Sequence, residues 1–366
     1  MQSRKFQALL AAAAVFGATF VAAAPAQAAT QACGSTPAAL TAAARAEGVV
    51  RLVAVPDTWA NYGALRRAFT AKYGVRTSVL EPDASSAREL ELFAELKGKP
   101  GRPDVYDLGM AYLPIAVSQG VLARFTPATW STIPKQLRDS DRRWIGNYFG
   151  LVGLGTNVTL QPKQPTLWAQ LIDPSYRGQV FINGDPRQSS TALASVAAAS
   201  LASGGSLDDI TPGVDYFAKL KAAGNLAGSP VTRAQVVAGR IPVGINWNFT
   251  WPLLQPEAKA NGYEVRSSIP TDGLLAGFYG QGVSTDAEHP CAARLWVTWL
   301  SSDQGQRLLL GSGAVPARYA DLKLSASQKS RLPSASLLAR AVTPSSAQLA
   351  SMLDTVRRLW GPRVAD

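Results

Sequence analysis

The stretch "FINGDPRQSSTAL", residues 181–193, gathers Asp185, Gln188, Ser189, Ser190 and Thr191 where an apolar strand turns through Gly-Asp-Pro into a helix. Two chemistries compete there. Amides and hydroxyls at a helix start suit an anion, because the first N–H groups have no partner inside the helix and the dipole is positive at that end. Arg187 would add a counter-charge. An aspartate at the same corner suits a cation. Other aromatic-polar stretches repeat the theme: "DTWANY" with Trp59, "GMAY" with Tyr112, "NWNFTW" with Trp247 and Trp251, and "PTDG" with Asp272.

Catalytic constellations are missing around these residues. The one histidine, His289 in "AEHPCAA", has Cys291 beside it and no further ligands at metal-site spacing, so no metal is expected. The chain has no G-x-S-x-G, P-loop or G-x-G-x-x-G. Asp208 and Asp209 precede a helix, where acids favour the dipole. No catalytic residue and no cofactor is expected.

The elements explain why the polar stretches matter. "VVRLVAVP", "VRTSVLE" and "DVYDLGM" read as strands alternating with the helices "GALRRAFTAKYG", "SSARELELFAELKG" and "YLPIAVSQG". That alternation predicts an α/β fold of mostly parallel sheets covered by helices on both faces. The pattern breaks at a Pro-dotted segment. "NYFGLVGLGTN" then reads as a strand crossing into a second lobe. There "TLWAQLID" reads as a helix, "QVFIN" and "IPVGINW" as strands, and "SSTALASVAAASLASG" and "GVDYFAKLKAAG" as helices. "YEVRSSIPTDG" crosses back and "AARLWVTWLSSDQGQRLLL" is one amphipathic helix. In open α/β sheets ligands lie beyond the carboxyl ends of strands. Five polar-aromatic loops at such ends describe a cleft between two lobes.

Composition sets the compartment. "MQSRKFQ", an apolar run and the small-x-small "AQA" read as a cleaved export signal over residues 1–28. The remaining charge of about +9 (+11 less Arg4 and Lys5) is dispersed, and "RDSDRRW" is laced with aspartates, so nucleic acid is not expected as a partner. Cys33 and Cys291 either pair or both stay free. A Cys33–Cys291 bridge would tie together two separated pieces of the first lobe.

The stretches "LTAAARAEGVVRLVAV", "DVYDLGMAYLPIAVSQGVLARF", "WAQLIDPSYRGQVFINGDPRQSS", "VVAGRIPVGINWN" and "HPCAARLWVTWLSSDQGQRLLLGSGAVPAR", in this order, resemble bacterial extracellular solute-binding proteins of ABC importers. The resemblance is nearest to the polyamine and iron/thiamine-related group with the two-lobed type II periplasmic-binding fold. It implies a first lobe over 29–150, a second over 151–271, a return over 272–324, and C-terminal helices from 325 to 366 on the second lobe. It also implies a periplasmic monomer that closes like a Venus flytrap and hands a small solute to a membrane permease. In the polyamine binders, tryptophans and acids hold the solute. Trp59, Asp185, Trp247 and Asp272 match those positions, and Gln188 stands where an acid is usual. Carboxylates would offset the ammonium charge, and each tryptophan face would add ~0.5–2 kcal/mol of cation–π attraction. The iron binders use adjacent tyrosines and a histidine, and no Tyr-Tyr occurs here. The sequence therefore favours an amine, with an anion at 189–191 as the alternative and a secreted enzyme on the same fold as the rival from another class.

Overall fold

The structure is a computed structural model that describes residues 33–365, so the expected export signal lies outside the described residues. In the first lobe, α1 (Pro37–Glu47) leads into β1 (Val49–Val53), α2 (Tyr62–Tyr73), β2 (Arg76–Leu80), α3 (Ser86–Leu96), β3 (Val105–Gly109) and α4 (Leu113–Ser118). β4 (Ile145–Asn157) then crosses to the second lobe. That lobe holds β5 (Val180–Ile182), α5 (Ser190–Ala202), α6 (Thr211–Ala222), β6 (Leu226–Gly228), α7 (Arg233–Val237), β7 (Val243–Trp247), α8 (Trp251–Ala260) and β8 (Val265–Ser268). The chain returns through β9 (Ala276–Val283), α9 (Pro290–Leu300), α10 (Asp303–Leu309) and β10 (Val315–Pro316). It ends in α11 (Ala326–Lys329), α12 (Ala335–Arg340) and α13 (Ser346–Trp360).

The strands run in the order β2-β1-β3-β9-β4-β7-β5-β6. The two wings are parallel, as the alternating pattern predicts: β1 with β2 and β3, β5 with β6 and β7. The middle is antiparallel, because the chain must both leave and re-enter the first lobe there. Residues 145–151 of β4 pair with β9, and residues 152–157 pair with β7 and β8. One strand thus belongs to both halves of the sheet.

Two helical expectations change. "TLWAQLID" forms a single tight turn, Trp168–Ile172, because Pro165 and Pro174 leave room for no more. The long C-terminal amphipathic stretch breaks into α9 and α10, since the Ser302 hydroxyl accepts the Gly305 amide and starts a new helix.

The first-lobe core stacks Trp296 of α9 on Tyr62 and sets it edge-on to Phe69 of α2. α9 is held at its start by the Glu47 carboxylate, which accepts the Cys291 and Ala292 amides, and by a Cys33–Cys291 disulfide. His289 is structural: its amide and ring both meet Asp104, a buried acid that also accepts the Arg51 amide. Residues 319–332 stay beside α10, where Leu322, Leu324 and Leu332 surround Leu310. α13 packs on α5 and α6, with Trp360 against Phe217.

The disulfide closes a separation of 258 residues. Cys33→Ser/Cys291→Ser is expected to lower stability by about 2–4 kcal/mol, read from urea midpoints. Dithiothreitol should shift the wild type equally and the double variant not at all.

Candidate functional site

The strand ends converge on one cleft between the lobes. The first lobe contributes the loop after β1 with Trp59, the start of α3 from Ser85 to Glu89, and Asp107 of β3. The second lobe contributes the corner with Ser189, Ser190 and Thr191, the Pro230–Arg233 loop, and Asn246 and Thr250 around the end of β7. Tyr279 of the crossing strand β9 completes the wall. Two helix starts meet there, each capped by a serine: Ser85 accepts the Arg88 amide and Ser189 the Ala192 amide, both at 3.2 Å.

The lobes touch along a seam beside the cleft. The Ala87 amide donates to the Gln188 carbonyl (3.2 Å), and the Tyr112 hydroxyl donates to the Arg187 carbonyl (2.8 Å). Gly109 lies against Ser190 so closely that a Cβ at 109 would fall 2.2 Å from the Ser190 Cβ. Only glycine permits that approach.

Below the seam lies an acid without a cation. Trp59 Nε1 donates to the Tyr148 hydroxyl, which donates to Asp107 Oδ2, each at 2.7 Å. The Asp107 amide donates to Glu89 Oε2 at 3.2 Å. Asp107 is 3% exposed and Glu89 1%, and among the described residues neither has an ion-pair partner. Burial pushes the Asp107 carboxyl up to about 7, against the pull of hydrogen bonds from Tyr148, Tyr62 and Gln281. Burial, followed by the charge of Asp107, pushes Glu89 well above the usual carboxylate range.

Across the cleft, Thr191 Oγ1 shares a 2.7 Å hydrogen bond with the Tyr279 hydroxyl and accepts Trp247 Nε1 at 3.1 Å. Asp107 Oδ1, Ser190 Oγ and Thr250 Oγ1 are buried in residues of the cleft wall with no hydrogen-bond partner among the described residues. They are three of fifteen such side-chain atoms among the described residues, and the three that one cleft brings together. The three come from both lobes.

The structure brings Trp59, Ser189 and Ser190 to the cleft and sets the other sequence-derived candidates elsewhere. Asp185 is not on the wall: its carboxylate pairs with Arg187 at 2.6 Å and caps the same residue's amide. Gln188 is exposed, and its backbone, not its side chain, serves the seam. Tyr112 likewise joins the lobes. Trp247 is buried behind the wall, stacked near Phe249. Trp251 fills a separate core of the second lobe, its ring lying over Gly155. Asp272 accepts the Trp168 amide at 3.0 and 3.1 Å and so caps that turn.

Sequence reasoning did not single out Glu89, Asp107, Tyr148 or Tyr279. Asp107 did leave a signal, as the one acid inside the buried run "VYDLG".

A family model described as bacterial extracellular solute-binding protein matches residues 103–339, and the chain belongs to that family. Its fold is that of two-lobed type II periplasmic binding proteins. It is similar to the periplasmic binding protein AfuA of Actinobacillus pleuropneumoniae with fructose-6-phosphate bound, at 20% identity and TM-score 0.66 over 86% of this chain and 98% of that one. AgtB of A. tumefaciens R10, in complex with agropinic acid, aligns at 16% identity and TM-score 0.70 over 87% and 99%. A putative spermidine/putrescine ABC transporter protein of Listeria monocytogenes aligns at 14% and 0.65 over 86% and 98%. A curated relative, an uncharacterized protein of Haemophilus influenzae, is 24% identical over 266 residues, 68% of this chain and 71% of its own.

The raised Asp107 carboxyl has a consequence for stability. Between its ordinary value of 3.8 and about 7, the unfolded chain has lost this proton and the folded chain has kept it. Stability therefore falls as pH rises through that window and levels off above it. Asp107→Asn, which keeps an acceptor for Tyr148, should melt close to the wild type at pH 4 and above it at pH 7.5. Parallel melting curves across that range would contradict the assignment.

Proposed function

We propose that this chain is the solute receptor of an ABC importer, capturing a small organic amine between its lobes outside the cytoplasmic membrane and delivering it to a permease. One observation carries the reading: three buried polar atoms from both lobes, unpartnered among the described residues, belong to the wall of a single cleft. The charge of the wall favours a cation. Asp107 lines it with one oxygen unpartnered, Asp83 stands at its exposed edge, and its one guanidinium, Arg233, is paired with Glu257 at 2.5 Å. This keeps the amine expected from the sequence and moves its seat from Asp185 and Asp272 to Asp107.

Two similar solved structures, at 20% and 16% identity, hold chemically different solutes, fructose-6-phosphate and agropinic acid, so solute class rests on this chain's own residues. A small anion is the second reading, favoured by Ser190 Oγ at the start of α5. The receptor binds and releases without chemistry. The buried carboxyls sit behind hydrogen bonds to tyrosine and amide, and no histidine or cysteine is on the cleft wall.

Closure hinges where β4 changes partners, between Leu151 and Val152, and on the return segment 269–275. Solute contacts made by both lobes would favour the closed form.

The test is melting of the protein across putrescine, spermidine, hexosamines, neutral sugars, sugar phosphates and phosphonates. A bound solute at ~100 times its dissociation constant adds about 2.7 kcal/mol. Gly109→Ala, whose methyl group would strike Ser190, is expected to weaken the bound solute by about tenfold or more, at least ~1.4 kcal/mol. The unliganded melting temperature should barely move. If no class of solute shifts the wild type, the receptor reading fails.

A further inference from the structure

We infer that the cleft selects a solute with one ammonium group and a hydroxylated, uncharged remainder, such as an amino sugar or amino polyol, with the ammonium on Asp107 Oδ1 and the hydroxyls reaching Ser190 and Thr250. This rests on the receptor reading above and deepens it.

The argument begins with a count of charges. Of the two Asp107 carboxylate oxygens, Oδ2 takes the Tyr148 hydroxyl, whose own oxygen is fixed by Trp59 Nε1, and Tyr62 and Gln281 lend the carboxyl only neutral polar support. Oδ1 is left buried at the cleft wall without a hydrogen-bond partner among the described residues. The groups around the carboxyl are Tyr62, Tyr148, Tyr279, Gln281 and Glu89, none of them a cation. An ionised carboxylate so placed lacks compensation, and an ammonium group supplies it.

Glu89 does not supply a second charge. Its Oε2 accepts the Asp107 amide, and burial next to Asp107 favours its neutral form. Two neighbouring buried carboxyls share one negative charge more readily than they carry two. The pair therefore calls for one cation.

The rest of the wall is neutral where it is buried. Ser190 and Thr250 present unpartnered hydroxyls, and Asn246 is 2% exposed. Asp83 is exposed. The acids that would hold a second ammonium are engaged, Asp185 by Arg187 and Asp272 by the Trp168 amide. A diamine would bury its second charge among hydroxyls, an unpaired charge at a cost of several kcal/mol. Sugar hydroxyls there satisfy both orphan groups.

Glucosamine, galactosamine and mannosamine are titrated calorimetrically against their N-acetyl forms, glucose, putrescine and spermidine. At least one hexosamine is expected to bind about a hundredfold more tightly than its N-acetyl form, glucose and either polyamine, the loss expected when one member of a buried charge pair is removed. Asp107→Asn should lose about the same hundredfold, and Ser190→Ala a smaller factor. Wild-type affinity should rise from pH 5.5 to 7, with proton release visible in buffers of different ionisation enthalpy. Asp107→Asn should show neither effect. Tighter binding of a polyamine, of a neutral sugar or of an anion, or a hexosamine affinity unchanged in Asp107→Asn, overturns this inference. If such another solute binds and Gly109→Ala weakens it, the receptor reading stands while the inference falls. If nothing binds, both fall.

Discussion

The molecule depends on the hydrogen bonding of one strand. β4 must satisfy its backbone groups along 13 residues while passing from one lobe to the other. It does so by changing partners, from β9 and the short β10 in its first half to β7 and β8 in its second. Its side chains alternate accordingly: Tyr148 turns towards Asp107, and Phe149 turns away to the opposite face with Trp144 and Phe278. The strand that joins the lobes also backs the cleft's aromatic wall, with Tyr148 stacked on Tyr279 and bonded to Trp59.

How far the sequence could be read follows from this. The wings were legible because β1, β2 and β3 alternate with helices at ordinary spacing, and the crossing at "NYFGLVGLGTN" showed as an extended stretch with no helix behind it. β9 was not legible. "AGFYGQGV" is buried on both faces, lacks polar alternation and carries three glycines, so neither period marks it. Tyr279, central to the cleft, was lost with it.

The ligand corner shows a different limit. Residue type pointed to "GDPRQSST" as a ligand corner, and of its residues Ser189 and Ser190 line the cleft in the structure. Type could not show that Asp185 would be consumed by Arg187 two residues away, or that Asp272 would cap a turn more than a hundred residues back in the chain. Local capping competes with any ligand for a carboxylate. Trp247 and Trp251 follow the same logic. An indole after a strand is as useful to the core as to a solute, and Gly155 gives Trp251 a flat backbone surface to cover. Asp107 is the reverse case, an acid read as part of a core strand because its neighbours are apolar.

A carboxyl buried without a cation works against folding, and nothing in the first-lobe core requires it there. Tyr148, Tyr62 and Gln281 soften the cost without removing it, since the carboxyl still holds its proton to about 7. Groups that destabilise the empty protein and face a cavity are where binding energy is most effectively used, because a ligand removes a penalty as well as adding contacts. The same reasoning covers Ser190 and Thr250, whose hydroxyls lack partners until something polar fills the cleft. The solute, on this account, completes a hydrogen-bond network that the two lobes leave open. Closure follows because the parts it completes lie on both sides of β4's change of partner.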